Sequence, residues 1–114
     1  MRISVIIPVY NEAATVAVLH NQVLETGLAD EIILVDDGST DGSPAVLAGL
    51  VRKGNTKVLT QASNQGKGAA LRRGLTEATG DILLSQDADL EYEPANYPAL
   101  LKPILEGRAG SGHI

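Results

Sequence analysis

EIILVDDGSTDGSPAVLAGLVRKGNTKVLTQ, residues 31 to 61, reads as strand, acidic turn, helix and strand. EIILVDD (31 to 37) and KVLTQ (57 to 61) are short runs rich in β-branched and aliphatic residues. Between them SPAVLAGLVRKG (43 to 54) sets Val46, Leu47, Leu50 and Val51 on one helical face, with Ser43 as N-cap and Pro44 in the first turn. A strand that is apolar throughout is buried on both faces, and two such strands joined through a helix pair in parallel.

The same alternation extends in both directions. ISVIIPV (3 to 9) is a first buried strand, followed by ATVAVLHNQVLETG (14 to 27), where Val16, Leu19, Val23 and Thr26 keep helical spacing up to a glycine stop. Downstream, GKGAALRRGLTEATG (66 to 80) predicts a third helix and DILLSQ (81 to 86) a fourth strand. ANYPALLKPILEG (95 to 107) predicts a fourth helix carrying Tyr97, Leu101, Ile104 and Leu105, started near Pro98 and kinked at Pro103. Four βα units imply an α/β fold, a doubly wound and mainly parallel sheet with helices on both faces. A fifth strand should follow, yet AGSGHI (109 to 114) offers a single apolar residue at its end.

Composition narrows the function. The 114 residues carry a net charge of -5, and nine Lys and Arg are dispersed, which argues against a nucleic-acid surface. Three Tyr and no Phe or Trp leave the core to Val, Ile, Leu and Ala. With no cysteine there is no disulfide, thiolate zinc site or cysteine nucleophile. No apolar run approaches the ~20 residues of a membrane span. MRISVIIPVYNE carries no charged-then-apolar leader, so a cytoplasmic location is expected, with the cytoplasmic face of a membrane open to a longer form.

The polar residues gather at one end of every strand. The strands finish in PVYNEA, DDGSTDG, TQASNQGKG and SQDADLEYE, so four loops converge at the carboxyl edge, where a parallel sheet keeps its ligand site. Some of these residues have local explanations: Asn11 as a cap of the first helix, Glu12 in its first turn, and Asp41, Gly42 and Ser43 as a turn into the second helix. Arg72 and Arg73 fit a solvated helix face. The paired carboxylates Asp36 and Asp37 have no such account and can accept hydrogen bonds from a ribose or base edge.

Three familiar motifs fail on inspection. DDGSTDG begins like an EF-hand loop, but its twelfth position is Ala48 in place of a bidentate Glu. NQGKG lacks both the upstream glycine and the following Ser or Thr of a P-loop, and Leu71 stands where a dinucleotide fingerprint needs glycine. What remains is a glycine-rich helix entry whose N–H groups, with Lys67, suit a phosphate. A phosphate-receiver domain would place its acidic pair after the first strand, which here ends in PVYNE. In QDADLEY, Asp87, Asp89 and Glu91 share one side of an extended segment, with the two Asp about 6.5 Å apart at the usual strand rise. A divalent cation relieves the repulsion between them, and Mg2+ or Mn2+ favours such oxygen ligands.

Taken together, SVIIPVYNE, VDDGSTDG, NQGKGAALRRG, ATGDILLSQDADLEY and YPALLKPILEG resemble, in order and spacing, the nucleotide-sugar half of a family 2 glycosyltransferase. The dolichyl-phosphate or polyprenyl-phosphate mannosyltransferase group is the nearest in pattern. The resemblance covers residues 3 to about 108. It implies a GT-A type fold, with residues 1-108 as the nucleotide-sugar-binding part and 109-114 as a tail outside the family pattern.

The resemblance also implies roles. Pro8, Tyr10, Glu12 and Asp37 would line the nucleoside pocket, Asp37 meeting the base, with Lys67 along the same side. Asp87 and Asp89 form the DxD pair: Asp87 would face ribose or metal, Asp89 would hold Mg2+ or Mn2+ on the diphosphate as the catalytic carboxylate, and Glu91 stands where a further metal ligand is added. The implied reaction is inverting transfer of a sugar from GDP-mannose or a UDP-hexose to an acceptor, a polyprenyl or dolichyl phosphate. A non-catalytic nucleotide-sugar-binding remnant is the alternative, because relatives continue past the LEGRA-like segment and this chain stops at Ile114.

Overall fold

The computed structural model describes residues 1–88 and 111–113. The helix expected over 95 to 107, with Asp89, Glu91, Tyr97, Pro98, Leu101, Pro103, Ile104 and Leu105, lies outside them.

Five strands form one sheet in the order β3-β2-β1-β4-β5, and every neighbouring pair is parallel. They are β1 (Ile3–Val9), β2 (Glu31–Asp37), β3 (Thr56–Gln61), β4 (Ile82–Ser85) and β5 (Ser111–His113), with helices α1 (Val16–Glu25), α2 (Ser43–Leu50) and α3 (Lys67–Glu77) between the first four. The chain winds outward from β1 to β3 and returns to the other side of β1 as β4, so strand order switches between β1 and β4. A crevice forms at that switch because the loops leaving the two strands diverge to opposite faces.

Alternation along the strands builds both layers. Val5, Ile7 and Val9 of β1 and Ile32 and Leu34 of β2 meet Val16, Leu19 and Val23 of α1 and Leu47 and Leu50 of α2. Ile6, Ile33 and Val35 point the other way and pack with Ala70 of α3. Fully burying such a side chain contributes about 1.5–3 kcal/mol, so strands buried on both faces anchor the domain.

Several expected boundaries move. Asn11 does not cap α1, which starts at Val16 behind Thr15, and Ser43 does not cap α2, whose N-cap is Gly42. Both side chains are used between loops, as described below. Thr26 falls at the C-cap of α1, donating its hydroxyl to the Val23 carbonyl at 2.7 Å. Helix α2 ends at Leu50, which leaves Val51 exposed off the apolar face expected for it. The poorly apolar AGSGHI contributes β5, paired with Leu83 to Ser85 of β4. Ladder hydrogen bonds come from the backbone, so an edge strand needs no apolar side chains.

Polar groups tie the amino ends of the strands together. Glu31, fully buried, accepts hydrogen bonds on Oε1 from the Ser4 hydroxyl (2.7 Å), the Thr79 amide (2.6 Å) and the Thr79 hydroxyl (3.1 Å). Its Oε2 faces Lys57 at 3.3 Å and Arg2 at 3.8 Å. Burial pushes the Glu31 carboxyl up, but hydrogen bonds from the Thr79 amide, Ser4, Lys57 and the Thr79 hydroxyl outweigh it and bring the pKa to about 2, against an ordinary 4.5. His20, also buried, lies with Nε2 2.8 Å from the Thr56 hydroxyl, which itself donates to the Lys53 carbonyl at 2.5 Å. The ring is therefore the donor and is neutral, its pKa lowered by burial and then by Lys53.

A carboxyl with a depressed pKa in the folded state stabilises the fold above its unfolded value and loses that contribution as pH falls through the folded value. Glu31→Gln is therefore expected to cost about 2 kcal/mol at pH 6. In urea melts the gap to the unmodified protein should narrow between pH 4.5 and pH 2.5. A gap independent of pH would show that the Glu31 charge contributes nothing.

Candidate functional site

The first two loops hold each other through side chains drawn from both. Asn11, in the left-handed region at φ 53, accepts on Oδ1 from the amides of Thr40 (2.8 Å) and Asp41 (3.2 Å). In return the Asn11 amide donates to the Ser39 hydroxyl (3.0 Å), the Glu12 amide to the Ser43 hydroxyl (3.1 Å) and the Ala13 amide to Asp41 Oδ2 (3.2 Å). Hydrogen bonds from the Ser43 hydroxyl and amide hold the Asp41 carboxyl below the usual carboxylate range. Asn tolerates positive φ better than most residues, which is why it stands at this bend.

Asp37 pins the third loop. Its two oxygens accept the amides of Gln65 (2.8 Å) and Gly66 (2.9 Å), the two residues immediately before α3. Gly38, at φ 72, lets the second and third loops touch: a Cβ there would lie 2.5 Å from the Asn64 nitrogen and from the Ser63 carbonyl carbon. Asp36, the other member of the acidic pair, is buried and accepts the Ser39 amide at 3.0 Å, so its role is to shape the turn.

The fourth strand completes the enclosure. The Gln86 amide donates to the Ile6 carbonyl at 2.9 Å, carrying the β4 backbone along β1 past the end of its ladder. Asp87 follows, with its side chain one-fifth exposed, and its Oδ1 is in direct contact with the Lys67 ammonium. The Thr15 hydroxyl donates to the Ala88 carbonyl at 2.6 Å, fixing the strand end against the start of α1.

The result is a crevice of about 310 Å3 at the carboxyl edge, between the ends of β1, β2 and β4. Pro8, Tyr10, Glu12, Asp37, Lys67 and Asp87 all line it. The described residues assigned roles by the family resemblance are thus in one place, whereas Asp36, singled out beside Asp37, is not among them, and Asp89 and Glu91 lie outside the described residues. Arg72 and Arg73 are exposed on α3 and away from it. Sequence reading did not single out Asn64 and Gly66, which also line the wall; the only signal was the NQG step into a helix.

Among the described residues no three His or acidic side chains gather tightly enough to hold a metal. The donor set nevertheless fits a hard divalent ion. Asp87 already takes a cationic partner from the crevice side, and its carboxylate is the hard oxygen donor that Mg2+ or Mn2+ favours.

A parallel α/β sheet with its crevice at the strand-order switch, walled by four polar loops and an acidic fourth strand end, is the arrangement this chain shares with the glycosyltransferases of GT-A type on which it superposes. The chain belongs to glycosyl transferase family 2, whose pattern matches residues 4–111. It is 37% identical over 118 residues to an undecaprenyl-phosphate 4-deoxy-4-formamido-L-arabinose transferase of Pseudomonas aeruginosa, covering 98% of this chain and 35% of that protein. It is also 37% identical over 109 residues to a dolichol-phosphate mannosyltransferase of Pyrococcus furiosus, covering 94% and 31%. Among solved structures, glucosyl-3-phosphoglycerate synthase from Mycobacterium tuberculosis, in complex with Mn2+, UDP and glucosyl-3-phosphoglycerate, superposes with a TM-score of 0.77 at 31% identity, covering 91% of this chain and 39% of that one. The chain spans about a third of the length of the curated relatives it matches.

Proposed function

We propose that residues 1–108 form the donor-binding part of an inverting, metal-dependent glycosyltransferase that moves a sugar from a nucleotide diphosphate sugar to a polyprenyl phosphate. The observation that carries this reading is the convergence of Tyr10, Asp37, Lys67 and Asp87 on one crevice in a family 2 chain. The names of the relatives, which transfer sugars to undecaprenyl or dolichol phosphate, support the lipid acceptor.

In this reading Pro8 and the half-exposed ring of Tyr10 offer apolar faces to the base. Asp37 keeps a second lone pair on each oxygen, beyond those that receive Gln65 and Gly66, for a base or ribose donor. Asp87, Asp89 and Glu91 would hold Mg2+ or Mn2+. When bound, the cation supplies Lewis-acid stabilisation of the charge that develops on the departing diphosphate. A phosphate acceptor is already an anion, so in-line attack needs little general-base help. No helix among the described residues is long and apolar enough to cross a membrane. In this reading the lipid phosphate is met at the cytoplasmic face of a membrane.

The test is a calorimetric titration of the chain with GDP-mannose, UDP-glucose and UDP-N-acetylglucosamine, each with Mn2+ and with chelator. Heat with one donor, lost on chelation, is the expected result and identifies the base. Equal heat with and without metal, or none with any donor, overturns the reading.

A further inference from the structure

We infer that Lys67 is a resident counter-ion for Asp87, one that a divalent cation must displace and that then turns to the donor diphosphate, so that metal and nucleotide bind with positive coupling through this one side chain. The inference rests on the donor-site reading above and adds to it a role for Lys67.

The ion pair is placed by the fold. Lys67 opens α3, and the turn before it is fixed to the end of β2 because the Gln65 and Gly66 amides donate to Asp37. Asp87 leaves the end of β4. β1 lies between β2 and β4, so the contact between the Lys67 ammonium and Asp87 Oδ1 spans the carboxyl end of β1 along the crevice wall. The side chains lining the crevice comprise three carboxylates, Glu12, Asp37 and Asp87, and one ammonium, Lys67, for a net charge of 1 − 3 = −2.

A diphosphate entering that field without a cation meets repulsion, and a cation arriving alone must first expel the Lys67 ammonium from Asp87. Arriving together they remove both penalties: the metal replaces the ammonium on Asp87, and the freed ammonium gains the phosphates. Lys67 suits the exchange because its side chain is about half exposed and its compact charge rides on a flexible stem, without the planar fork that would fix one partner. The coupling is reciprocal by linkage: whatever factor the nucleotide adds to metal affinity, the metal adds to nucleotide affinity.

The experiment follows free Mn2+ by electron paramagnetic resonance during titration of the unmodified chain, Lys67→Met and Lys67→Arg, each alone and with saturating UDP or GDP. A half-exposed pair of this kind contributes modestly, so Lys67→Met is expected to bind Mn2+ alone about two- to fivefold more tightly. The enhancement of Mn2+ affinity by nucleotide should shrink in that variant, and Lys67→Arg, which keeps the charge and adds a fork that holds Asp87, should bind Mn2+ alone no more tightly than the unmodified protein. Circular dichroism melts verify that the variants are folded. Unchanged or weaker Mn2+ binding by Lys67→Met, or no Mn2+ binding by any of the three, overturns the inference. Failure of both nucleotides to enhance Mn2+ binding by the unmodified chain counts against the donor-site reading instead, since the comparison with Mn2+ alone reads the ion pair by itself.

Discussion

Asp89→Ala is expected to lower sugar transfer about 10²- to 10³-fold, the usual loss when one preorganised group facing a developing charge is removed, and to make donor binding indifferent to metal. Asp89 is the second carboxylate of QDADLEY, two residues beyond the crevice-lining Asp87. In the proposed site it belongs to the metal, and the single charge of the Lys67 ammonium, which in the structure contacts Asp87, does not replace a divalent ion. The two readouts separate chemistry from binding. Steady-state transfer to a polyprenyl phosphate reports the first, and donor calorimetry with Mn2+ and with chelator reports the second. Transfer within threefold of the unmodified enzyme would remove Asp89 from the reaction.

Gly38→Ala is expected to cost about 3 kcal/mol or more, because about 1–2 kcal/mol for a side chain at positive φ adds to about 1–3 kcal/mol for overpacking. The overpacking is against backbone, since the new Cβ would lie 2.5 Å from the Asn64 nitrogen and the Ser63 carbonyl carbon. Neither can rotate out of the way as a side chain would. The second and third loops must therefore separate, which carries Asn64 off the crevice wall and strains the hold of Asp37 on Gln65 and Gly66. Gly27→Ala supplies the control: its φ of 68 is nearly the same, with nothing within 4 Å of the added carbon, so it should lose only the conformational part. Urea melts of the two variants, with donor titration of each, measure the difference. Equal destabilisation would mean that the loops do not meet as closely as described.

The strands were legible because burial on both faces leaves a composition that little else produces: ISVIIPV and EIILVDD contain the β1 and β2 of the structure to the residue. The helix starts were harder to read. Asn11 and Ser43 are residue types that cap helices locally, and nothing in the sequence reveals that each is instead bonded to a loop about 30 residues away. Asp36 and Asp37 look alike in sequence, yet alternation on β2 sends one into a turn and the other into the crevice. The same limit applies to Lys67 and Asp87. Each was recognisable as a site residue from its loop, but their contact depends on β4 returning beside β1, which is a property of topology. β5 escaped because its support comes from main-chain pairing, to which composition is blind.

The Glu31 network lies at the amino edge of the sheet, the full length of the strands away from the four loops. The domain therefore keeps its ionic anchorage and its chemistry in separate neighbourhoods, with the hydrophobic interior between them. Changes that retune the mouth for another base or sugar leave that anchorage intact, and changes that harden or loosen the anchorage leave the mouth in register. Such a scaffold can diversify in what it accepts without renegotiating how it stands, and a protein engineer can work on either end as a separate problem.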